Sequence, residues 1–151
     1  MKKILSGLAL SASVLVATAA FADLDPWKDY TPSEEVWTVT TIKVEPNMGD
    51  AYLEGIKKTW VSSNKIAKEL GHIEDWKILR SGLPESGDFN LLLMVKYKNA
   101  EMAAPNEARY KAFMEKYTEK QSDAVTEYSQ KNYPGMRDIT GMYMMREISI
   151  K

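Results

Sequence analysis

The feature that most constrains the fold is a strand-like run that carries apolar side chains on both of its faces. The segment EVWTVTTIKVEP is dense in β-branched residues and is closed by Pro46, which predicts a strand over residues 36–45. Side chains alternate between the two faces of an extended chain. One face holds Val36, Thr38, Thr40, Ile42 and Val44, and the other holds Trp37, Val39, Thr41 and Lys43. Both faces of this strand therefore need cover from the rest of the molecule.

Two segments show the periodicity of amphipathic helices. The first begins after Asn47, a predicted N-cap, and ends at Gly71, a predicted C-terminal stop. The second is APNEARYKAFMEKYTEKQSDAVTEYSQKN, residues 104–132. Apolar residues recur three, four or seven positions apart in both: Leu53, Ile56, Trp60, Ala67 and Leu70 in the first, and Tyr110, Phe113, Tyr117, Ala124 and Tyr128 in the second. Each helix is expected to lay one face on a sheet.

Three further runs, EDWKILRSG, DFNLLLMVKYKN and MYMMREISI, have the composition of strands. The string LPESG suits a hairpin turn between the first two, and YPGMRDITG is predicted to be a loop before the third. The element order is therefore β-α-β-β-α-β. It predicts a ferredoxin-like α+β domain over residues 36–151, in which two helices cover one face of a four-stranded antiparallel sheet. Residues 23–35, with two prolines and no periodicity, are predicted to be an extended lead-in segment.

The second face of the predicted sheet has no helices to cover it. It would carry Trp37 and Val39, or their alternates, together with Leu92, Met94, Tyr143 and Met145. This is more apolar area than a protein normally leaves in water. A symmetric homodimer that packs sheet on sheet would bury the face through one isologous interface. The alternative is a monomer in which the lead-in segment or a loop covers the face, but a short polar segment covers little area, so we expect a dimeric α/β barrel.

Two segments resemble a known superfamily. The stretch KVEPNMGDAYLEG looks like the strand-to-helix entry of dimeric α/β barrel proteins, and LLLMVKYKNAEMAAPNEARYKAF is similar to a passage of their antibiotic-biosynthesis-monooxygenase-like members. The resemblance spans most of residues 36–150 as a pattern and implies a fold and a dimer. Many of those relatives carry histidines after the third strand, where this chain has Ala104, Pro105, Asn106 and Arg109. The resemblance therefore implies the fold and the dimer, without the histidines of those relatives.

The N-terminus has the layout of a secretory signal peptide. Lys2 and Lys3 precede an apolar run, and Ala20 and Ala22 flank Phe21 as an A-x-A cleavage site. The run is broken by serine and glycine and is shorter than the roughly 20 residues of a membrane span. We expect cleavage after Ala22 and a mature chain that is periplasmic or secreted. The chain has no cysteine, which excludes a lipidated N-terminus and a disulfide framework.

The charge of the mature chain argues against nucleic acid as a partner. Without residues 1–22 the chain keeps 18 basic and 21 acidic residues, whereas nucleic-acid binding calls for clustered excess lysine and arginine. No membrane span is predicted in the mature chain either. The expected partners are a second copy and a small apolar ligand.

The single histidine, His72, directly follows the Gly71 helix stop. A polar or cationic side chain suits the free carbonyl groups of a last helical turn, which predicts a capping role. The other interpretation is an axial haem ligand, as in superfamily relatives that handle haem. A chain with one histidine and no cysteine cannot build a histidine-based zinc or non-haem iron centre. We therefore expect no metal and no cofactor.

The remaining candidates for function lie on the aromatic strands. Trp37, Trp76 or Tyr143 could line an apolar pocket, and Arg80 or Arg146 could hold an anionic or carbonyl group of a ligand. A shift of one residue in any strand would exchange the lining set. The sequence therefore leaves two functions open. One is an exported binding or interaction protein without catalysis, and the other is a cofactor-free oxygenase or isomerase that acts on a small apolar or aromatic compound.

Overall fold

The computed structural model of the chain describes residues 23–83 and 87–151, and the predicted signal peptide lies outside these ranges. In chain order the elements are β1 Tyr30–Pro32, β2 Val36–Val44, α1 Gly49–Ile56, a π-helical turn Lys57–Val61, α2 Ser62–Glu69, β3 Asp75–Arg80, β4 Leu91–Tyr97, α3 Ala100–Ala103, α4 Glu107–Lys116, α5 Glu119–Asn132, β5 Arg137–Met145 and β6 Ile148–Ile150. Four strands form one sheet in the order β3-β4-β2-β5, and every neighbouring pair is antiparallel. This is the ferredoxin-like arrangement, so the predicted fold class is confirmed.

The first helical segment runs without interruption from α1 through the π-helical turn into α2. Its end is a Schellman motif: Gly71 has φ +69°, its N–H donates to Lys68 O, and the N–H of His72 donates to Ala67 O. The predicted stop at Gly71 is thus confirmed. The predicted N-cap is wrong, because Asn47 has φ +64° and turns the chain ahead of the helix, and Met48 occupies the cap position without a side-chain bond.

The second helical segment is not one helix, as its periodicity predicts, but two, α4 and α5. Asn106 begins α4 by accepting a hydrogen bond from Arg109 N, and Thr118 begins α5 by accepting one from Gln121 N. Tyr117, between them, has φ −92° and ψ +55°, which ends α4. Two separate caps therefore divide an apolar periodicity that continues across the break.

The core lies between the helices and one face of the sheet. Its members are Ile42, Val44, Leu91 and Leu93 from the strands and Tyr52, Ile56 and Tyr133 from the helical side. Along β4, Leu91, Leu93 and Val95 are buried together on this face, and Leu92 and Met94 alternate with them on the other. Thr59, in the π-helical turn, lies 2.6 Å from the Tyr133 hydroxyl through its Oγ1 atom. The helices centre on β2 and β4 and leave the helix side of β5 uncovered, where Met142 and Met144 remain exposed.

The last strand begins earlier than predicted. β5 includes residues 137–141, which the sequence assigns to a loop, and a register shift between Thr41 and Ile42 of β2 leaves Thr140 of β5 without a partner. Such a bulge bends its strand and re-aims the neighbouring side chains. The predicted final run then divides, because β6 leaves the main sheet and pairs with β1 of the lead-in segment.

Candidate functional site

The face of the sheet opposite the helices, which we call the open face, is built from three full rows of side chains. Paired positions across β3, β4, β2 and β5 point to the same side of the sheet. The first row is Asp75, Lys96, Trp37 and Met145, the second is Lys77, Met94, Val39 and Tyr143, and the third is Leu79, Leu92, Thr41 and Gly141. Lys43 and Asp138 form part of a fourth row. The apolar residues predicted for this face are all on it.

The centre of the open face is apolar, and its flanks are accessible to solvent. Val39 is buried at the middle of the second row, and its neighbour Met94 is half-buried. Tyr143 and Met145 on β5 are each 55% exposed, and Leu79 on β3 is 50% exposed. Large side chains at these exposures on two flanking strands mark a surface suited to contact with another molecule.

The bulge in β5 creates a recess for an aromatic ring. A Cβ atom built on Gly141 would lie 2.7 Å from both Cε2 and the hydroxyl oxygen of Tyr143, and 2.9 Å from Oγ1 of Thr41. The Tyr143 ring therefore lies along its own strand in the space that the missing side chain leaves. Thr140 Oγ1 donates to Thr41 Oγ1 at 2.8 Å, and Thr41 Oγ1 donates to Gly141 O at 3.3 Å. The recess is thus held by a chain of hydroxyl contacts beneath the ring.

One margin of the open face is charged and aromatic. The Nζ atoms of Lys77 and Lys96 lie 5.2 Å and 5.9 Å from the ring centroid of Trp37. Lys96 also forms an ion pair with Glu35 at 2.6 Å, and this hydrogen bond raises the pKa of Lys96. The Asp75 carboxylate accepts a hydrogen bond from Lys68 of α2 at 2.8 Å, which lowers the pKa of Asp75. Two lysine side chains of this margin therefore lie beside one aromatic face.

The structure divides the predicted ligand-binding residues between the two faces of the sheet. Trp37 and Tyr143 are on the open face. Trp76 pairs with Val95 and points to the helix side, where its ring meets that of Trp60 edge to face at a centroid distance of 5.7 Å. Trp76 is thus part of the packing beneath the helices and does not share a pocket with Trp37.

The two predicted arginines are also apart. Arg80, at the end of β3, packs its guanidinium over Gly49 at the start of α1 and lies 3.4 Å from the Asp50 carboxylate. It lines a groove of about 530 Å³ together with Lys43 and Asn90 among others. Arg146 follows β5 and donates to Ser33 O at 2.9 Å, which ties the lead-in segment to the end of the sheet. The groove is lined largely by polar and charged groups, so it does not match the small apolar ligand that the sequence predicts.

His72 lies in the Schellman motif at the end of α2, as its position after Gly71 predicts. Partial burial, followed by the charge of Arg109, lowers the pKa of His72. The Arg109 guanidinium donates to Ala104 O at 2.7 Å and to Glu101 O at 3.2 Å, so it covers carbonyl groups at the end of α3. The charge of Arg109 disfavours the imidazolium, and haem ligation stays the alternative interpretation of His72.

Two residues important for the open face did not emerge from the sequence as site residues. Gly141 accommodates the Tyr143 ring, and Lys77 faces the Trp37 ring. A lone glycine within a strand pattern is a signal for a bulge or a close approach, but Gly141 ends the run that the sequence assigns to a loop, so this signal is hidden. Nothing local to Lys77 indicates its face, because that depends on the pairing of β3 with β4.

Within residues 23–83 and 87–151, no three histidine, cysteine, aspartate or glutamate side chains gather in a way that could hold a metal ion. The helices of the same ranges include none that is both long and apolar enough to cross a bilayer.

No protein-family model and no curated protein sequence matches the chain. Among solved structures, it is similar to an uncharacterized NIPSNAP-like domain protein from Burkholderia xenovorans, with 13% identity, coverage of 78% of this chain and 85% of that chain, and a TM-score of 0.43. It is similar to protein SO0527 from Shewanella oneidensis, with 11% identity, coverage of 80% and 99%, and a TM-score of 0.47. A third is a dimeric ferredoxin-like protein of unknown function from Thermobifida fusca, with 7% identity, coverage of 76% and 91%, and a TM-score of 0.39. These similarities are distant, and it is the order and direction of its own strands that give the chain a ferredoxin-like fold.

Proposed function

We propose that the chain is an exported, non-catalytic binding protein that acts as a homodimer through its open face. Export is inferred from residues 1–22, with cleavage after Ala22 into the periplasm or the medium. The observation that carries the homodimer is the open face itself, where an apolar centre is flanked by exposed Leu79, Tyr143 and Met145. A second copy of the same face is the partner that these side chains need.

The size of the open face supports this assignment. The face has four strands about 4.8 Å apart and three rows of side chains about 6.8 Å apart. Together these spacings give a flat outline of roughly 400 Å². The relief of the side chains makes the accessible area larger than this outline, and a stable interface buries about 800 Å² on each partner. The fourth row, with Lys43 and Asp138, extends the same surface. The outline of the open face is therefore about half the area of a specific interface before the side-chain relief and the fourth row are added.

The arrangement of ionisable groups favours binding over the enzymatic alternative. Asp75, Lys77, Lys96, Lys43 and Asp138 all lie at the margins of the open face, in its outer rows or on its outer strands. A cofactor-free oxygenase or isomerase needs an acid or base within reach of its substrate. The middle of the face instead offers Met94, Leu92 and Val39, which are suited to apolar contact. A small apolar ligand bound there would compete with the second copy, so it would change the dissociation constant of the dimer.

A matched pair of variants tests the proposal. Met144 and Met145 are adjacent, equal in chemistry and similarly exposed at 59% and 55%, but they point to opposite faces of β5. Met145→Glu puts a charge into the proposed interface twice per dimer, so we expect the dissociation constant to rise by at least about tenfold. Met144→Glu, on the helix side, should leave it nearly unchanged.

Sedimentation equilibrium of residues 23–151 measures the dimer dissociation constants of the wild type and of the two variants. Equal weakening by the two glutamates would show that the edge of β5, and not the open face, mediates association. A monomeric wild-type chain at all concentrations would contradict the homodimer.

A further inference from the structure

We propose that the two copies of the open face pair about an axis parallel to their strands, so that Lys77 of each copy contacts the partner's Tyr143. The inference rests on the proposed function and specifies which residues meet. A two-fold axis between facing sheets lies in the plane of the interface. If it runs along the strands, it reverses the strand order and preserves the rows. β3 then faces β5 of the other copy, and β4 faces β2.

The second row matches itself under this operation. Read across the sheet it is Lys77, Met94, Val39 and Tyr143, and its reverse sets Lys77 opposite the partner's Tyr143 and Met94 opposite the partner's Val39. In a single copy the Lys77 ammonium lies over its own Trp37 ring, so pairing exchanges that aromatic contact for the partner's phenol ring at the outer strand, where the charge stays near solvent. The apolar pair lies at the centre, where solvent is excluded.

The other two rows match at three of their four kinds of pair; the fourth sets Asp75, which Lys68 of its own copy holds at the margin, opposite the partner's Met145. In the third row Leu79 reaches the partner's Gly141, the position over which the partner's Tyr143 ring lies. Leu79 and Lys77 of one copy therefore both contact the Tyr143 side chain of the other copy. In the first row Lys96 reaches the partner's Trp37, which repeats between copies the lysine-to-tryptophan contact present within each copy. No pair of like charges is brought together in any of the three rows.

An axis perpendicular to the strands gives a poorer match. It preserves the strand order and reverses the three rows about the second, so Lys77 lies opposite the partner's Lys77 and Tyr143 opposite the partner's Tyr143. Two ammonium groups then face each other across the interface. Like charges brought together in this way are unfavourable, whereas an aromatic face compensates a cation for part of its lost hydration.

The twist of packed sheets is compatible with these contacts. Two aligned sheets cross at about 30°, which displaces the outer strands of one copy by roughly 4 Å along those of the other. Side chains as long as lysine and tyrosine span that displacement. The contacts at the centre, such as Met94 with the partner's Val39, are displaced least.

A charge-reversal experiment tests the pairing. Tyr143→Glu gives Lys77 of the other copy an opposite charge, and Tyr143→Lys gives it a like charge. We expect the Glu variant to dimerise at least about tenfold more tightly than the Lys variant. In a Lys77→Glu background the order should reverse, so that Tyr143→Lys dimerises more tightly. Within one chain the two positions are about 14 Å apart across three strand spacings, beyond the roughly 8 Å screening length at physiological salt, so the reversal reports contact between copies.

Sedimentation equilibrium of the four variants and the wild type, with circular dichroism to verify the fold, gives the result. A reversal of order supports the pairing. The same order in both backgrounds, or equal behaviour of all four variants, overturns the pairing while a dimeric wild type leaves the proposed function standing. A monomeric wild type overturns both.

Discussion

Gly141→Ala separates the stability of the monomer from the stability of the dimer. In the monomer an alanine favours the strand over glycine by about 0.5–1 kcal/mol, because it lowers the backbone entropy that is lost on folding. The added Cβ would lie 2.7 Å from atoms at the far end of the Tyr143 side chain, which is 55% exposed and can rotate away. The contact with Thr41 Oγ1 at 2.9 Å offsets part of the gain. We expect the free energy of unfolding of the monomer to change by less than about 1 kcal/mol.

The dimer should respond differently, because the ring of Tyr143 leaves its recess in both copies. A lost aromatic contact costs about 0.5–1.5 kcal/mol, so two of them cost about 1–3 kcal/mol per dimer. The midpoint of that range corresponds to a rise of roughly 30-fold in the dissociation constant. Gly82→Ala is the control, because nothing lies within 4 Å of its added Cβ.

Urea unfolding at low protein concentration and sedimentation equilibrium measure the two effects of Gly141→Ala. A variant that dimerises as tightly as the wild type would refute a role of the Tyr143 ring in the interface. A loss of several kcal/mol in the monomer would show instead that Tyr143 is a fixed part of the monomer core.

Three further predictions concern the covered side of the sheet. Thr59→Val removes the buried partner of the Tyr133 hydroxyl and should lower the free energy of unfolding in urea by about 1–3 kcal/mol. In a Tyr133→Phe background the same substitution should cost clearly less. Additive losses in the double variant would mean that the 2.6 Å contact contributes nothing to stability. Gly71→Ala forces a side chain into φ +69° and should lower stability by about 1–2 kcal/mol, whereas an unchanged unfolding midpoint would contradict the Schellman assignment. Because the pKa of His72 is lowered in the folded chain, the unfolded chain binds a proton first as the pH falls below about 6.5. The wild type should therefore lose stability relative to His72→Gln on acidification through that range, and parallel pH profiles would contradict the lowered pKa.

The strands and their arrangement follow from local patterns in the sequence. Alternation in β4 places Leu91, Leu93 and Val95 on one face, and the order of the elements admits few ways to cover them. The apolar residues of the opposite face, such as Met94 and Tyr143, follow from the same alternation. This is why the existence of an uncovered face could be predicted without the structure.

Other features depend on contacts that no local pattern encodes. Trp76 points to the helices because β3 pairs with β4 in a register that places it beside Val95, and a shift of one residue would have placed it with Trp37. The break before α5 depends on the cap at Thr118, while the apolar periodicity continues past it. Asn47 could serve as an N-cap or as a left-handed turn residue, and its φ of +64° selects the turn. Long-range register and backbone geometry therefore decide which of the predicted residues share a surface.

The molar mass of residues 23–151 in solution tests the central claim most directly. Light scattering coupled to gel filtration, carried out over a wide range of concentrations, should give twice the mass of one chain at the highest of them. A mass of one chain throughout that range would show that the open face is left in water or covered by the chain itself, and would contradict self-association as the basis of its function.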